Sequence, residues 1–407
     1  MRLAIWFNHE DRGLRPQPIA DLSMLKQFGF TDAYILAKGI RNDIRSNPEW
    51  HNHLSVVVSG IKEKGIKAHG MYICSLCRSY LLDHPGKGDV EISGHTSDVH
   101  INHTDLDYID YMLDYIVTTV EEYSFDGVQF DYMRYNKISN GWGREEEAIY
   151  SSCGVNVSRL KADILSRYNT QRGKYIVSPE RFYSGEPDLI ALSEARSNII
   201  HSWLHSITNP LRNKFPGIEL SAALMPAGLC RDKYHLSEMV YGQKYEDFSS
   251  CLDTLIPMAY LWFYGKTPEW VSVIGREALK RGFNALIGLD CGDASLIGGE
   301  IRSLEDFVVS GLSFFRYGRI VLAVREDGDT IIHNTYPGLV ESIRLYSNSK
   351  EQAMDCQIAY GESLRIRGHW DQIQTFGRYL DGGSDTGIKE LCTVGNWQIP
   401  GYEGDIS

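Results

Sequence analysis

Short runs of apolar and β-branched residues recur along this chain, separated by longer stretches whose apolar positions repeat at helical spacing. Residues 3–8, 32–37 and 65–73 read as strands, with helices near 19–28 and 50–64 between them. Strand and helix in unbroken succession predict parallel pairing through right-handed crossovers, which restricts the chain to α/β architectures. The rhythm continues with a helix over 105–122, where Leu106, Ile109, Met112, Leu113, Ile116 and Val120 share a face. A strand follows within 125–131, then a helix over 189–215 and strands at 218–225, 252–260, 284–290 and 319–324. Eight strands predict a (β/α)8 TIM barrel over residues 1–345, with long irregular loops after strand three (78–103) and strand four (136–187). Residues 346–407 break the rhythm. The alternating Ser363-Leu364-Arg365-Ile366-Arg367 and the turn-rich segment 381–387 predict a small β-rich C-terminal extension packed on the barrel.

Composition narrows the partners. Of the 407 residues, 43% are hydrophobic and 23% charged, so a large core is available. A net charge of -12 opposes binding to a phosphate backbone, so nucleic acid is not an expected partner. No apolar run approaches the roughly 20 residues needed to span a bilayer, and the run opening the chain is too short for a signal sequence. The expectation is therefore a soluble, cytoplasmic chain with no membrane partner. Eight cysteines are scattered, and Cys74-Ser75-Leu76-Cys77 is the one close pair. Without a second pair or nearby histidine ligands it reads as reduced structural thiols rather than a zinc site.

The most informative stretch is Phe125-Asp126-Gly127-Val128-Gln129-Phe130-Asp131-Tyr132-Met133-Arg134-Tyr135. Alternation along a strand puts Val128 and Phe130 on one face, suited to lie under a helix. Gly127, Gln129 and Asp131 take the other, suited to a barrel interior. Asp131 then ends the strand at the face where barrels carry chemistry. The plainer alternatives are a helix cap or a pair with Arg134. Asp126, at the strand entry, reads as turn chemistry.

The same stretch resembles the strand-four signature of the glycoside-hydrolase-like barrels, the family 10 glycosyl hydrolase-like group related to DUF187 and DUF4015. Supporting pieces, in order, are 65–69, Asn102-His103, Arg196-Ser197-Asn198 opening a helix, Gly242-Gln243, Asp253 through Tyr260, and Ile287 through Asp290. The likeness runs from 65 to 323. Residues 136–188 do not match, Ser193-Glu194-Ala195 replaces an expected tryptophan, and the tail after 346 is unmatched.

The resemblance implies hydrolysis of a glycosidic bond, which needs two carboxyl groups flanking the sugar. Asp131 is then the expected nucleophile or base. Leu286, Gly288 and Asp290 share a face, making Asp290 the first choice as partner; its alternative role is a helix cap. Glu180 and Glu186, on the loop after strand four, compete for the acid role. Asn8, Lys38, His69, Tyr72 and Arg325 at strand ends complete a polar rim for substrate. Arg134 and Tyr135 would orient Asp131, and Tyr260 would bond a sugar hydroxyl. Trp262, with Phe263 and Tyr264, would offer a stacking platform for a pyranose. Glu186 also counts among substrate contacts. No cofactor or metal is required; the paired acids Asp290 and Asp293, and Asp327 and Asp329, read as turn chemistry. The opposed readings are a carbohydrate-binding barrel without turnover, and an aldolase or isomerase using Lys38 as a Schiff-base amine.

Overall fold

The computed structural model describes residues 1–7, 22–40, 47–166, 179–292, 294–305, 309–336, 338–347, 350–381, 384–385 and 388–399. Eight parallel strands form one sheet: β1 (Arg2–Phe7), β2 (Asp32–Lys38), β3 (Lys67–Ile73), β4 (Gly127–Asp131), β5 (Glu219–Leu224), β6 (Thr254–Pro257), β7 (Leu286–Asp290) and β8 (Gly311–Phe315). Their order is β6-β5-β4-β3-β2-β1-β8-β7. Seven helices alternate with them: α1 (Ser23–Phe28), α2 (Pro48–Glu63), α3 (Leu106–Tyr123), α4 (Pro187–Lys214), α5 (Tyr245–Cys251), α6 (Glu269–Lys280) and α7 (Ala294–Arg302). This is the expected (β/α)8 barrel. Every residue of β2, β4, β6 and β7 is buried, as parallel strands covered on both faces require. By internal contacts the chain divides into two compact units, residues 1–36 with 49–69 and 258–407, and residues 37–48 with 70–257.

In the first unit, Ala4 of β1 lies opposite Asp32 of β2 and Ser313 of β8. Met258, just past β6, bridges Gly288 of β7 in parallel, and the Ala259 N–H donates to the Gly288 carbonyl at 2.9 Å. The eight strands form a nearly closed barrel. Trp6, Tyr34 and His69 pack in succession, with ring centroids 5.5 and 5.1 Å apart. His69 was expected on the substrate rim. It is instead fully buried beside Asp32, the first residue of β2, with Nε2 2.8 Å from Oδ1. Arg2 binds the same carboxylate at 2.6 and 3.1 Å. Burial opposes ionisation of Asp32, but hydrogen bonds from His69 and Arg2 outweigh it and hold the carboxyl well below its usual range. His69 thus belongs to an ion-pair network at the end where β2 begins.

The eighth strand also differs from expectation. Residues 319–324 are richer in β-branched residues, but Gly311–Phe315 fills the place beside β1. The reason is space: a Cβ on Gly311 would sit 2.2 Å from the Arg2 carbonyl oxygen and 2.6 Å from Leu286 Cδ2. Only glycine lets the three chains approach so closely. Val321–Glu326 (β9) instead opens a β-rich region. It pairs with β10 (Asp329–Asn334) through a turn in which Asp327 and Gly328 both have positive φ, 49° and 80°. β13 (Ser363–Arg367) and β16 (Thr393–Gly395) complete that four-stranded sheet. A second sheet holds β11 (Gly338–Ser347), β12 (Lys350–Ala359), β14 (Gln372–Asp381) and β15 (Lys389–Leu391). Residue 346 therefore falls inside a strand, and β9 and β10 lie wholly before it.

In the second unit, β4 pairs with β5 and β5 with β6, Gly127 opposite Glu219 and Ser221 opposite Thr254. α3 buries Ile109, Met112, Ile116 and Val120 of the face expected of it, while Leu106 at its first position is exposed and Leu113 half-buried. The Tyr72 hydroxyl meets Thr119 Oγ1 of this helix at 2.7 Å, so Tyr72, expected on the rim, points outward under α3. Its position explains this: it shares the face of Gly70 and not of Ile73. The loop after β3 is not irregular, since it holds a helix (Arg78–Asp83) and a hairpin of Gly88–Val90 with Thr96–Ile101. The loop after β4 carries helices Arg144–Ser152, Val157–Ser166 and Pro179–Tyr183. All eight cysteines are free thiols, with Cys74 and Cys77 buried. Among the described residues no helix is long and apolar enough to cross a membrane.

Replacing Gly311 by alanine is expected to destabilise the protein by roughly 1–3 kcal/mol through the clash with the Arg2 backbone. A thermal melt followed by circular dichroism reads this as a lowered Tm. Gly217→Ala, where a Cβ meets nothing within 4 Å, serves as the unchanged control.

Candidate active site at the end of the fourth strand

β4 ends at Asp131, and the chain then turns sharply. Tyr132 adopts φ 53°, a left-handed conformation that costs a non-glycine residue about 1–2 kcal/mol. Three donors converge on its carbonyl oxygen to hold it: the Ser75 N–H at 3.1 Å, the Ser75 hydroxyl, and the Arg134 N–H at 2.9 Å. The Cys74 N–H donates to the Asp131 carbonyl at 2.8 Å. The carboxyl end of β4 is thereby fixed to the residues that follow β3.

His103 backs this clamp. Its Nε2 lies 3.1 Å from the Arg134 carbonyl oxygen and 3.0 Å from Ser75 Oγ. Because a carbonyl only accepts, Nε2 carries the proton. Burial pushes the imidazole pKa down to about 3, so the ring is neutral at physiological pH. Gln243 ties the next strand to the same turn, accepting from the Met225 N–H at 2.9 Å and donating to the Met133 carbonyl at 3.3 Å.

The turn aims the Asp131 side chain. Oδ1 accepts the Tyr132 N–H at 2.7 Å and faces Arg134 Nη1 at 3.7 Å. Oδ2 makes no hydrogen bond among the described residues, and the side chain keeps 13% of its surface accessible. Burial raises the carboxyl pKa, while the Arg134 charge and the Tyr132 amide pull against that rise. Arg134 is itself buried and lies over the Tyr132 ring at 4.1 Å. One carboxylate oxygen is anchored and the other is open, which suits a nucleophile or base.

The remaining expected residues are placed as follows. Asp290 ends β7, buried, with Oδ1 accepting the Gly292 N–H at 3.0 Å. Tyr260, half-buried just past β6, stacks on Phe315 at the end of β8 with centroids 5.4 Å apart. Lys38 ends β2, but its ammonium donates to the carbonyls of Ile73 at 2.7 Å and Leu76 at 3.1 Å. It serves as a structural cation, its ammonium taken up by the backbone that follows β3. Tyr135 is buried beneath the site, its ring 4.2 Å from His103 and 4.5 Å from the Arg196 guanidinium. Glu186 is bound by Arg181 at 2.6 and 2.5 Å, a surface ion pair that also holds Asp163. Glu180 is exposed on the short helix Pro179–Tyr183. Arg325 lies in β9, donating to the Trp370 carbonyl at 2.8 Å and stacked 4.4 Å from Trp397. It is in the β-rich region because 319–324 is not a barrel strand. Asn8 lies outside the described residues, as does the side chain of Trp262.

Sequence reasoning missed Ser75 and did not give His103 its role as clamp; a polar residue two positions past the end of β3 was the available signal. It also missed a buried polar cluster behind Tyr135. Arg196, in the middle of α4 rather than opening it, donates to the carbonyls of Met239, Val240 and Ile138 at 3.2 to 3.3 Å, and to that of Asn140. Asp89 accepts from Asn140 Nδ2 at 2.6 Å and the Gly141 N–H at 2.7 Å. Glu146 is fully buried, with neither carboxyl oxygen hydrogen-bonded. Burial pushes Asp89 up to about 6 and Glu146 up to about 7, each then moderated by Arg196.

Comparison with solved structures places this architecture. The glycoside hydrolase domain of PgaB (BpsB) from Bordetella bronchiseptica superposes with a TM-score of 0.55 at 11% identity, covering 78% of this chain and 94% of that one. The catalytic domain of beta-amylase from Paenibacillus polymyxa gives 0.53 at 10% identity over 77% and 92%. A beta-galactosidase from the psychrophilic Marinomonas ef1 gives 0.54 at 12%, over 78% of this chain and 54% of that one. At such identities the likeness is one of fold. No family model matches the sequence, and no curated protein does.

The sign of one pH effect follows. A carboxyl whose folded pKa lies above its unfolded value is most favourable to folding below the unfolded value, and that contribution is lost as pH rises through the folded one. Glu146→Gln is therefore expected to match the parent Tm near pH 5. Near pH 8, where the parent buries a charge, the variant should exceed it by roughly 3 kcal/mol of stability. Thermal melts at the two pH values check this.

Proposed function

We propose that this chain is a glycoside hydrolase acting on an oligo- or polysaccharide, with Asp131 as nucleophile or base. The observation that carries this reading is the half-satisfied carboxylate. Oδ1 is held by the Tyr132 amide and faced by Arg134, while Oδ2 has no described partner, at the end of a barrel strand where such folds do their chemistry. The solved barrels with the same fold bear glycoside hydrolase, beta-amylase and beta-galactosidase names, which favours this chemistry over the other reactions barrels host. The resemblance of 125–135 to the family 10-like strand-four signature points the same way.

In this reading burial strengthens the interaction of Asp131 with developing positive charge at a sugar's anomeric carbon. Arg134 favours the ionised carboxylate against the effect of burial, and the Tyr132 amide fixes its angle. Tyr260 is a candidate hydrogen-bonding side chain for a sugar hydroxyl. Asp290, buried at the end of its own strand, is the first candidate for the second carboxyl that hydrolysis requires, and the exposed Glu180 the second.

Asp131→Asn is expected to keep the fold and sugar affinity while lowering kcat by roughly 10²–10⁴-fold. The measurement is hydrolysis of a chromogenic glycoside panel, with binding followed separately by calorimetry. Activity undiminished in the variant removes Asp131 from the reaction.

A further inference from the structure

A cleft of about 450 Å³ lies within the unit that carries the β-rich region. Its walls come from α7, β14, β15 and the residues around β16. We infer that this cleft is a second carbohydrate-binding site, recognising a segment of a neutral oligosaccharide.

The lining has the two-sided chemistry of a pyranose. Ile297, Ile373 and Leu391 are buried apolar residues that suit a C–H face of the ring. Side-chain amides, two carboxylates and a guanidinium surround them, and planar groups of this kind bond adjacent hydroxyls in pairs. Two of the amides are already locked. Gln374 accepts from the Tyr346 hydroxyl at 3.0 Å and donates to Glu390 Oε1 at 3.0 Å, while Gln398 Oε1 accepts the Gly395 N–H at 2.8 Å. Locked side chains lose little rotamer freedom when a ligand arrives, so weak hydroxyl contacts count for more.

Several donors and acceptors are left over. Glu390 Oε2, Gln398 Nε2 and the Gln372 amide make no described hydrogen bond. Arg302 is exposed and folds back over Gly298, its Nη1 3.3 Å from where a Cβ would stand. The cleft carries the Arg302 cation against the acids Asp371 and Glu390, and Asp371 is already paired with Arg325 at 3.3 Å. With charges so nearly balanced, an anionic ligand would gain nothing that a neutral polyol does not. A volume of this size lies within the range of small-ligand sites and takes a short stretch of sugar rather than a chain end buried whole.

The test uses full-length protein carrying Asp131→Asn, so that the probe is not consumed. It is run in native gels containing hydroxyethyl cellulose, glycol chitin or soluble starch. At least one polysaccharide should retard this protein. Gln372→Ala with Glu390→Ala, both at exposed positions, should raise its dissociation constant about tenfold with an unchanged Tm. The same double substitution in otherwise unmodified protein should leave hydrolysis of short chromogenic glycosides within about twofold, because Asp131 is untouched. Failure of all three polysaccharides to retard the protein, or retardation that ignores the double substitution, overturns the inference. Retardation that depends on the cleft in a protein that hydrolyses nothing would sink the reading of Asp131 and leave the cleft standing.

Discussion

The carbonyl oxygen of Tyr132 is the point on which the site rests. A left-handed tyrosine after a strand is disfavoured, and the chain has no glycine there to relieve it. What holds it is three hydrogen bonds from two residues, Ser75 and Arg134. At about 1 kcal/mol net apiece they offset the conformational cost, with the neutral His103 packed behind them. The turn in turn presents the Tyr132 amide to Asp131 Oδ1. Backbone strain and carboxylate orientation are therefore one arrangement seen from two sides, which is how functional positions usually keep a strained residue.

Two aspartates illustrate how differently one barrel treats the same side chain. Asp32, at the start of β2, has an arginine, a histidine and the Thr31 hydroxyl within hydrogen-bond reach, and its charge is fully matched. Nothing is left for a substrate to use. Asp131, at the end of β4, has one amide at bonding distance and one guanidinium beyond it, too few partners to outweigh burial, so its pKa is raised where that of Asp32 is lowered. The first is a stabilising charge and the second an incompletely satisfied one. Placement at opposite ends of strands matches the usual division between stability and chemistry in this architecture.

The alternation of strand and helix was legible because hydrophobic period alone specifies it, and seven of the eight barrel strands fall where that period puts them. The eighth did not. Arg319-Ile320-Val321-Leu322-Ala323-Val324 has the stronger strand composition, whereas Gly311 wins its place by lacking a side chain, a steric fact invisible without its neighbours. Tyr72 and His69 went astray for a related reason: their residue types suit a rim, and only strand parity and the identity of Asp32 reveal where they point. That Asp131 ends its strand was readable because a motif and a parity argument agreed on the strand. Ser75 and His103 were not, since their roles depend on contacts 57 and 31 residues away in sequence.

The segment least like the resembling family is also tied to this turn. Arg196 gathers the carbonyls of Ile138 and Asn140 from the loop after β4, together with those of Met239 and Val240, and lies over Tyr135. Tyr135 packs on His103, and His103 bonds the Arg134 carbonyl. The loop after β4 is thus anchored by one fully buried guanidinium to the residues that orient Asp131. A lysine could not replace it, because an ammonium lacks the planar fork that reaches several carbonyls at once and would not lie flat on the tyrosine ring. Removing that anchor would release residues 138–140 of the loop from the turn that aims the Asp131 side chain.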